Sequence, residues 1–204
     1  MPPGTANHPS QKARKKMIYI IRHGQTELNT RNVLQGRSDH PLNETGLRQA
    51  KEAAERLKGV AFAAVYSSPL IRAIRTAEII APALEPVIDE RLIEMEYGPY
   101  EGKGLRELGP EVMTFFRDFV HNPAPEGMEP LDSVVRRGGA FMEDRCRTRE
   151  NILISTHAIA MKGILEYLTP DSGGSYWSKN IGNCAVYTAE YLPDGSWTVP
   201  VEMQ

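Results

Sequence analysis

The run Met17-Ile18-Tyr19-Ile20-Ile21 is apolar throughout, mostly β-branched, and gives way at once to Arg22-His23-Gly24-Gln25-Thr26. A short strand without polar alternation has both faces covered, as in a parallel sheet flanked by helices. The pattern returns at Asn151-Ile152-Leu153-Ile154-Ser155, which runs into Thr156-His157 and then an apolar helical stretch over 158–168. Open α/β sheets bind ligands just outside the carboxyl ends of their strands. The chain is therefore expected to bring two imidazoles and a guanidinium to one sheet edge, facing one another if the two strands are neighbours.

Between these strands the sequence supplies the rest of an α/β layout. Asn43 is placed to cap a helix to about Lys58, with Leu47, Ala50, Ala54 and Leu57 on one stripe and Gly59 at its end. Val60 to Tyr66 reads as a second strand, and Ser68-Pro69 as the cap and first residue of a helix fading near Pro82. Val87-Ile88 is a short third strand. Arg91 to Gly104 holds three glutamates, two tyrosines and three glycines without periodicity, the mix of a functional loop. Helices are expected from Leu105 to Val120, with Phe115, Phe116 and Phe119 as a bulky face, and from Leu131 to Arg147. A terminal hairpin turns at Pro193-Asp194-Gly195.

Charge narrows the chemistry. The net charge is -2, but Lys12, Arg14, Lys15 and Lys16 all fall in the first sixteen residues, leaving 20 basic against 26 acidic residues in the body, a net of -6. An acidic body disfavours a nucleic-acid face, so phosphate chemistry would need a local cluster of Arg and His. Residues 1–16 read as a disordered tail and 17–204 as one domain. No apolar run reaches the roughly 20 residues of a membrane helix, and nothing resembles a secretory leader. Cys146 and Cys184 give neither metal spacing nor a disulfide framework, so a reduced, cytoplasmic protein is expected. His8, His40 and His121 add no metal-binding spacing to His23 and His157.

Phosphoryl transfer suits these groups, because its catalysis is mostly positioning and charge stabilisation. Arg22 and Arg72 offer fork donors, with Arg75 not separable from Arg72 by spacing. A protonated His157 would add a cation, and His23 could attack phosphorus through a ring nitrogen. The leaving alcohol would take a proton from Glu94, Glu96 or Glu101, which spacing does not rank.

Arg22-His23-Gly24-Gln25-Thr26 with Asn29 resembles the opening signature of the histidine phosphatase superfamily, the phosphoglycerate mutase-like proteins. Further blocks follow in order: Gln35-Gly36 with Asp39, Pro41-Leu42, Gly46 and Gln49-Ala50; Ser67-Ser68-Pro69-Leu70-Ile71-Arg72-Ala73; Leu92-Ile93-Glu94 through Tyr97-Gly98 and Glu101-Gly102; and Ser155-Thr156-His157. The resemblance implies a three-layer α/β/α sandwich with a mainly parallel sheet and a metal-independent, two-step transfer through phosphohistidine, without a cofactor. It assigns His23 as nucleophile, Glu94 as proton donor, Arg22, Arg72 and His157 to the phosphate, and Thr26 and Asn29 to supporting contacts. Gln35, Gly36 and Tyr97 join the candidate substrate-binding set.

Three departures stand out. Ala158 replaces the usual glycine after the second histidine, and Gly127-Met128-Glu129-Pro130 carries Pro in place of a Ser cap. The stretch from Lys103 to Phe116 is short and aromatic where phosphoglycerate mutases carry a longer insertion that grips a carboxylate. That favours hydrolysis of a small phosphorylated metabolite, with mutase-type transfer or a silent phospholigand-binding protein as the alternatives; a homodimer is allowed. The aromatic rim suits sugar phosphates, nucleotide-like esters and aryl phosphates alike.

Overall fold

The computed structural model describes residues 16–204. Of the expected tail only Lys16 falls within the described residues, 3.6 Å from Glu150 on the surface. Among the described residues six strands form one sheet: β1 Ile18–Arg22, β2 Ala64–Ser67, β3 Val87–Ile88, β4 Ile152–Thr156, β5 Val186–Ala189 and β6 Val201–Glu202. Their order is β3-β2-β4-β1-β5-β6. The first four run parallel, and β5 and β6 add an antiparallel edge. The helices are α1 Glu27–Thr30, α2 Glu44–Arg56, α3 Ile71–Ile80, α4 Pro110–Arg117, α5 Leu131–Arg145 and α6 Ala158–Leu168.

Alternation along the strands builds the three layers. Tyr19 and Ile21 of β1, Val65 of β2 and Leu153 of β4 pack against Ala50, Ala53 and Leu57 of the α2 segment and Ala77 and Ile80 of α3. Ile18, Ile20, Ile152 and Ile154 face the other way, onto Phe141 and Met142 of α5 and Met161, Ile164 and Leu165 of α6. Each fully buried aliphatic side chain contributes about 1.5–3 kcal/mol, so both faces of β1 and β4 are strongly specified. The register pairs Arg22 with Thr156, which sets the two strand ends, and the histidines that follow them, side by side.

Several boundaries differ from the sequence reading. The second strand is only Ala64–Ser67, because Val60 and Phe62 pack on the core from a loop. Helix α3 starts at Ile71 with Leu70 as its cap; Leu70 makes no side-chain cap bond, and Asp39 Oδ1 accepts the Ile71 N–H at 2.8 Å. Ser68 is fully buried, and its Oγ both accepts from Leu70 N at 3.3 Å and meets His157 Nε2 at 2.7 Å. The stretch read as one helix from Leu105 is a 3-10 turn, Leu105–Glu107, followed by α4, which Pro110 opens and Asp118 closes. Pro130 caps α5 without a side-chain bond, as its sequence requires. The terminal hairpin is present, with Tyr187 opposite Glu202 and a bridge from Tyr191 to Trp197. No helix among the described residues is long and apolar enough to cross a membrane.

Candidate active site

His23 follows directly on β1 and is 3 % exposed. Its Nδ1 lies 2.7 Å from the Gly24 carbonyl, an acceptor only, so Nδ1 carries the proton and Nε2 keeps its lone pair. The Arg72 Nε donates to that lone pair at a long 3.3 Å. Burial, then Arg72 and Arg22, hold the imidazole well below its ordinary pKa, so it is neutral at pH 7. A neutral imidazole held in one orientation, its Nε2 lone pair met only by the long Arg72 contact, can act as a nucleophile. Asn183, from the loop before β5, fixes the backbone here by donating to the His23 carbonyl at 3.0 Å and to Asn29 Oδ1 at 3.4 Å.

Gly24 is required for packing. A β-carbon there would lie 2.5 Å from the Gly46 carbonyl, so the first turn of α2 can seat against the strand end only without one. The Gly24 N–H is spent on Thr76 Oγ1 at 3.1 Å. The bare approach of backbone to ligand that a glycine suggests is therefore an approach of backbone to backbone.

Arg72 sits in the first turn of α3 and is fully buried, which separates it from Arg75, an exposed residue paired with Glu78. Three carbonyls aim its guanidinium: Ser38 at 2.7 Å, Gly36 at 2.7 Å and Gln35 at 3.3 Å. The turn that offers them is itself held by Glu101, whose Oε1 accepts from Gly36 N, Ser38 N and Ser38 Oγ. Glu101 is thus committed to the loop, and Glu96 to an exposed ion pair with Arg37. Arg22 donates to the Ile181 carbonyl at 2.6 Å and leaves its Nε buried without a partner. Burial lowers the pKa of both guanidiniums, and Glu94 opposes it in each case.

Glu94 is the acid that reaches the centre. It is 4 % exposed and sits at the N-terminus of α6. Oε1 accepts from Met95 N and Ala160 N at 2.9 Å each, and Oε2 from Ile159 N at 3.2 Å. A helix N-terminus favours negative charge, which explains why a carboxylate is tolerated among buried aliphatics.

His157 is the residue before α6 and is fully buried, its ring centroid 5.1 Å from that of His23. Its Nε2 bonds Ser68 Oγ at 2.7 Å, while Nδ1 is buried without a partner. The protonated form in which His157 would add a cation is not what this environment favours. Burial, Arg72 and His23 push its pKa well below the ordinary value.

The remaining candidates support this centre. Thr26 and Asn29 cap α1 reciprocally, and Gln35 Nε2 donates to Thr26 Oγ1 at 2.7 Å, leaving Gln35 Oε1 buried and unpartnered. Gly36 has both its N–H and its carbonyl engaged, by Glu101 and Arg72. Tyr97 is not an open rim residue: it is 6 % exposed and packs on Phe116, with its hydroxyl pKa raised well up, by burial first. Lys103 is exposed and lies over the Tyr100 ring, away from these groups. Sequence reasoning missed Asn183, for which a lone loop Asn gives no signal. It read Ser68 as a cap, and Ser68 Oγ does accept the Leu70 N–H at 3.3 Å; what it missed is that the same hydroxyl meets His157. No three His, Cys, Asp or Glu residues among those described are grouped to hold a metal.

A family model described as the histidine phosphatase superfamily (branch 1) matches residues 18–202. The chain is 31% identical over 177 residues to a protein of Hydrogenobacter thermophilus named "Putative phosphoserine phosphatase 2", covering 84% of this chain and 87% of that one. It is 29% identical to a Proteus mirabilis protein named "Probable phosphoglycerate mutase", over 85% of this chain and 84% of the other. Among solved structures, a mutant phosphoserine phosphatase from Entamoeba histolytica in complex with phosphoserine superposes with a TM-score of 0.79 at 28% identity, covering 93% of this chain and 95% of that one. A structure of that phosphatase with 3-phosphoglyceric acid superposes at 0.77. With the motif blocks in order on the sheet that these relatives share, the chain belongs to the histidine phosphatase superfamily.

Proposed function

We propose that this chain hydrolyses small phosphomonoesters, with His23 as the nucleophile and Glu94 as the proton donor. His23 Nε2 attacks phosphorus as the ester P–O bond breaks, and the leaving oxygen takes its proton from Glu94. Arg22, Arg72 and His157 hold the phosphoryl oxygens while charge spreads over them. Water then attacks the phosphohistidine and gives its proton to the Glu94 carboxylate, releasing inorganic phosphate and restoring the imidazole. The observation that carries this reading is the fixed His23 tautomer, with its Nε2 lone pair aimed beside Arg72. The relatives named above and their phosphoserine and 3-phosphoglycerate complexes support a small phosphorylated metabolite as substrate.

Rapid quenching of turnover in the presence of EDTA tests the route. A phosphoenzyme stable in alkali and labile in acid is expected, and it should be absent in His23→Ala along with turnover. Undiminished hydrolysis by His23→Ala, or a requirement for an added divalent ion, would refute it.

A further inference from the structure

The Gly127-Met128-Glu129-Pro130 turn reaches the proton donor from outside the phosphate centre. The Glu129 side chain is only 7 % exposed and is gripped by Arg137, 15 % exposed, from the second turn of α5. Arg137 Nε donates to Glu129 Oε1 at 2.9 Å and Nη2 to Oε2 at 3.2 Å, while Nη1 goes to the Arg91 carbonyl at 2.7 Å. Glu129 Oε2 accepts the Glu96 N–H at 3.3 Å, and the Glu129 N–H donates to the Glu96 carbonyl at 2.9 Å. Ser133 adds its hydroxyl to Oε1 at 3.1 Å. Burial alone would raise the Glu129 carboxyl, yet the bonds from Arg137 hold it below the usual carboxylate range. The two loops also touch backbone to backbone: a β-carbon on Gly98 would run into the Gly127 carbonyl.

Arg91 and Glu96 are the two ends of the arc that carries Glu94. Resting on Glu94 as the proton donor, we infer that the Glu129–Arg137 ion pair is a positioning pair for that acid, clamping both ends of its arc. A buried ion pair adds little net stability over apolar packing, so its use here is geometric. Three N–H bonds seat Glu94 while it is a carboxylate. They weaken once it carries the proton it must donate, because a neutral acid is the poorer acceptor. In that state the backbone arc sets its place. A general acid must lie within hydrogen-bond reach of the leaving oxygen, and a shift of about 1 Å costs on the order of 10²-fold. A second route exists. Arg37, from the turn that aims Arg72, approaches Glu129 Oε2 at 3.6 Å and is 42 % exposed. An effect carried that way would slow all substrates alike.

Arg137→Met removes the fork and the Arg91 bond but keeps the apolar stem. Glu129→Gln, nearly the same shape, carries the same test where loss of the arginine unfolds the chain. The readout is kcat on glycerol 3-phosphate divided by kcat on p-nitrophenyl phosphate, a ratio in which any common loss of folded protein cancels. Arg137→Met should lower it by about 10-fold, part of the 10²-fold or more that a general acid contributes, and Glu129→Gln should lower it by less. Arg137→Lys keeps the charge without the fork and should fall between Arg137→Met and wild type. In a Glu94→Gln background Arg137→Met should change the ratio by less than about twofold, since residues that act as one unit are not additive. Equal losses on both substrates would make the pair structural, or route it through Arg72, and overturn the inference. So would an undiminished further loss in the Glu94→Gln background. Amide exchange judges the same variants without turnover. Arg137→Met should cut the protection of Ile159 and Ala160, whose N–H groups hold Glu94, by about 10-fold relative to β4; unchanged protection would overturn the inference. A Glu94→Gln enzyme that did not discriminate, or a wild type inert even to p-nitrophenyl phosphate, would sink the proton-donor or phosphatase reading instead. The exchange result would then decide alone whether the pair holds Glu94.

Discussion

Replacing Glu94 by Gln asks for two separable effects. The carboxylate spreads three backbone N–H bonds over two oxygens. An amide keeps one carbonyl for Met95 and Ala160 but turns an NH2 group toward the Ile159 N–H, exchanging an acceptor for a donor. One lost bond of this kind costs about 1–2 kcal/mol, a Tm drop of roughly 3–6 °C for a chain of this size. The catalytic effect depends on the leaving group. An alkoxide must be protonated as the P–O bond breaks, whereas a nitrophenolate leaves nearly unaided, so Glu94→Gln should slow alkyl phosphates by about 10²-fold or more and p-nitrophenyl phosphate far less. The assay is the ratio of kcat on the two substrates, which cancels any common loss of folded protein. Glu101→Gln keeps a carbonyl for Gly36 and Ser38, so its loss should be smaller and equal on both substrates, reaching the chemistry only through the aim of Arg72. Glu96→Gln should do almost nothing, because its ion pair with Arg37 is exposed. If Glu94→Gln slowed both substrates equally while Glu101→Gln discriminated, the proton donor would be Glu101 and the reasoning wrong.

Gly46→Ala should destabilise the fold by about 1–3 kcal/mol, although alanine is the better helix former, because its methyl would enter the Gln25 backbone; urea unfolding gives the sign at once. Acid should also destabilise. His23 and His157 have folded pKa values well below the ordinary 6.5, so the unfolded chain binds more protons once the pH drops under that value. Stability should be flat above about pH 7 and fall below 6.5 by up to about 1.4 kcal/mol per pH unit for each histidine. His157→Gln should flatten that decline in a pH series of unfolding curves, and an unchanged slope would remove His157 from the account.

How legible the site was depended on distance along the chain. Strand ends and caps are local, so Ile18–Arg22 and Ile152–Thr156 could be read directly, and with them the two histidines. The resemblance supplied what spacing did not, Arg72 over Arg75 and Glu94 over its neighbours, and burial separates each pair in the structure. Ser68 also answers to His157, 89 positions away, and Ile71 N to Asp39, 32 positions away; no local cap rule contains either demand. The neutral state of His157 was equally hidden, since it follows from burial and from the nearness of Arg72. Glu129 and Arg137 read in the sequence as ordinary charges on either side of a helix start, and only the fold shows that both meet the arc around Glu94.

The position of β1 has a consequence for the birth of the protein. Its neighbours in the sheet are β4 and β5, and Met17 is bonded to Asn151, 134 positions later. A ribosome that has finished only β1, β2 and α3 has made His23, Arg22 and Arg72, but nothing yet exists to cover one side of them. The N-terminal strand must wait, its apolar edge exposed, until the last third of the chain emerges. Partial products would thus carry His23 without its pocket and remain silent toward the cell's phosphate esters. The first detectable turnover during synthesis would report that the central strand has found both of its late partners.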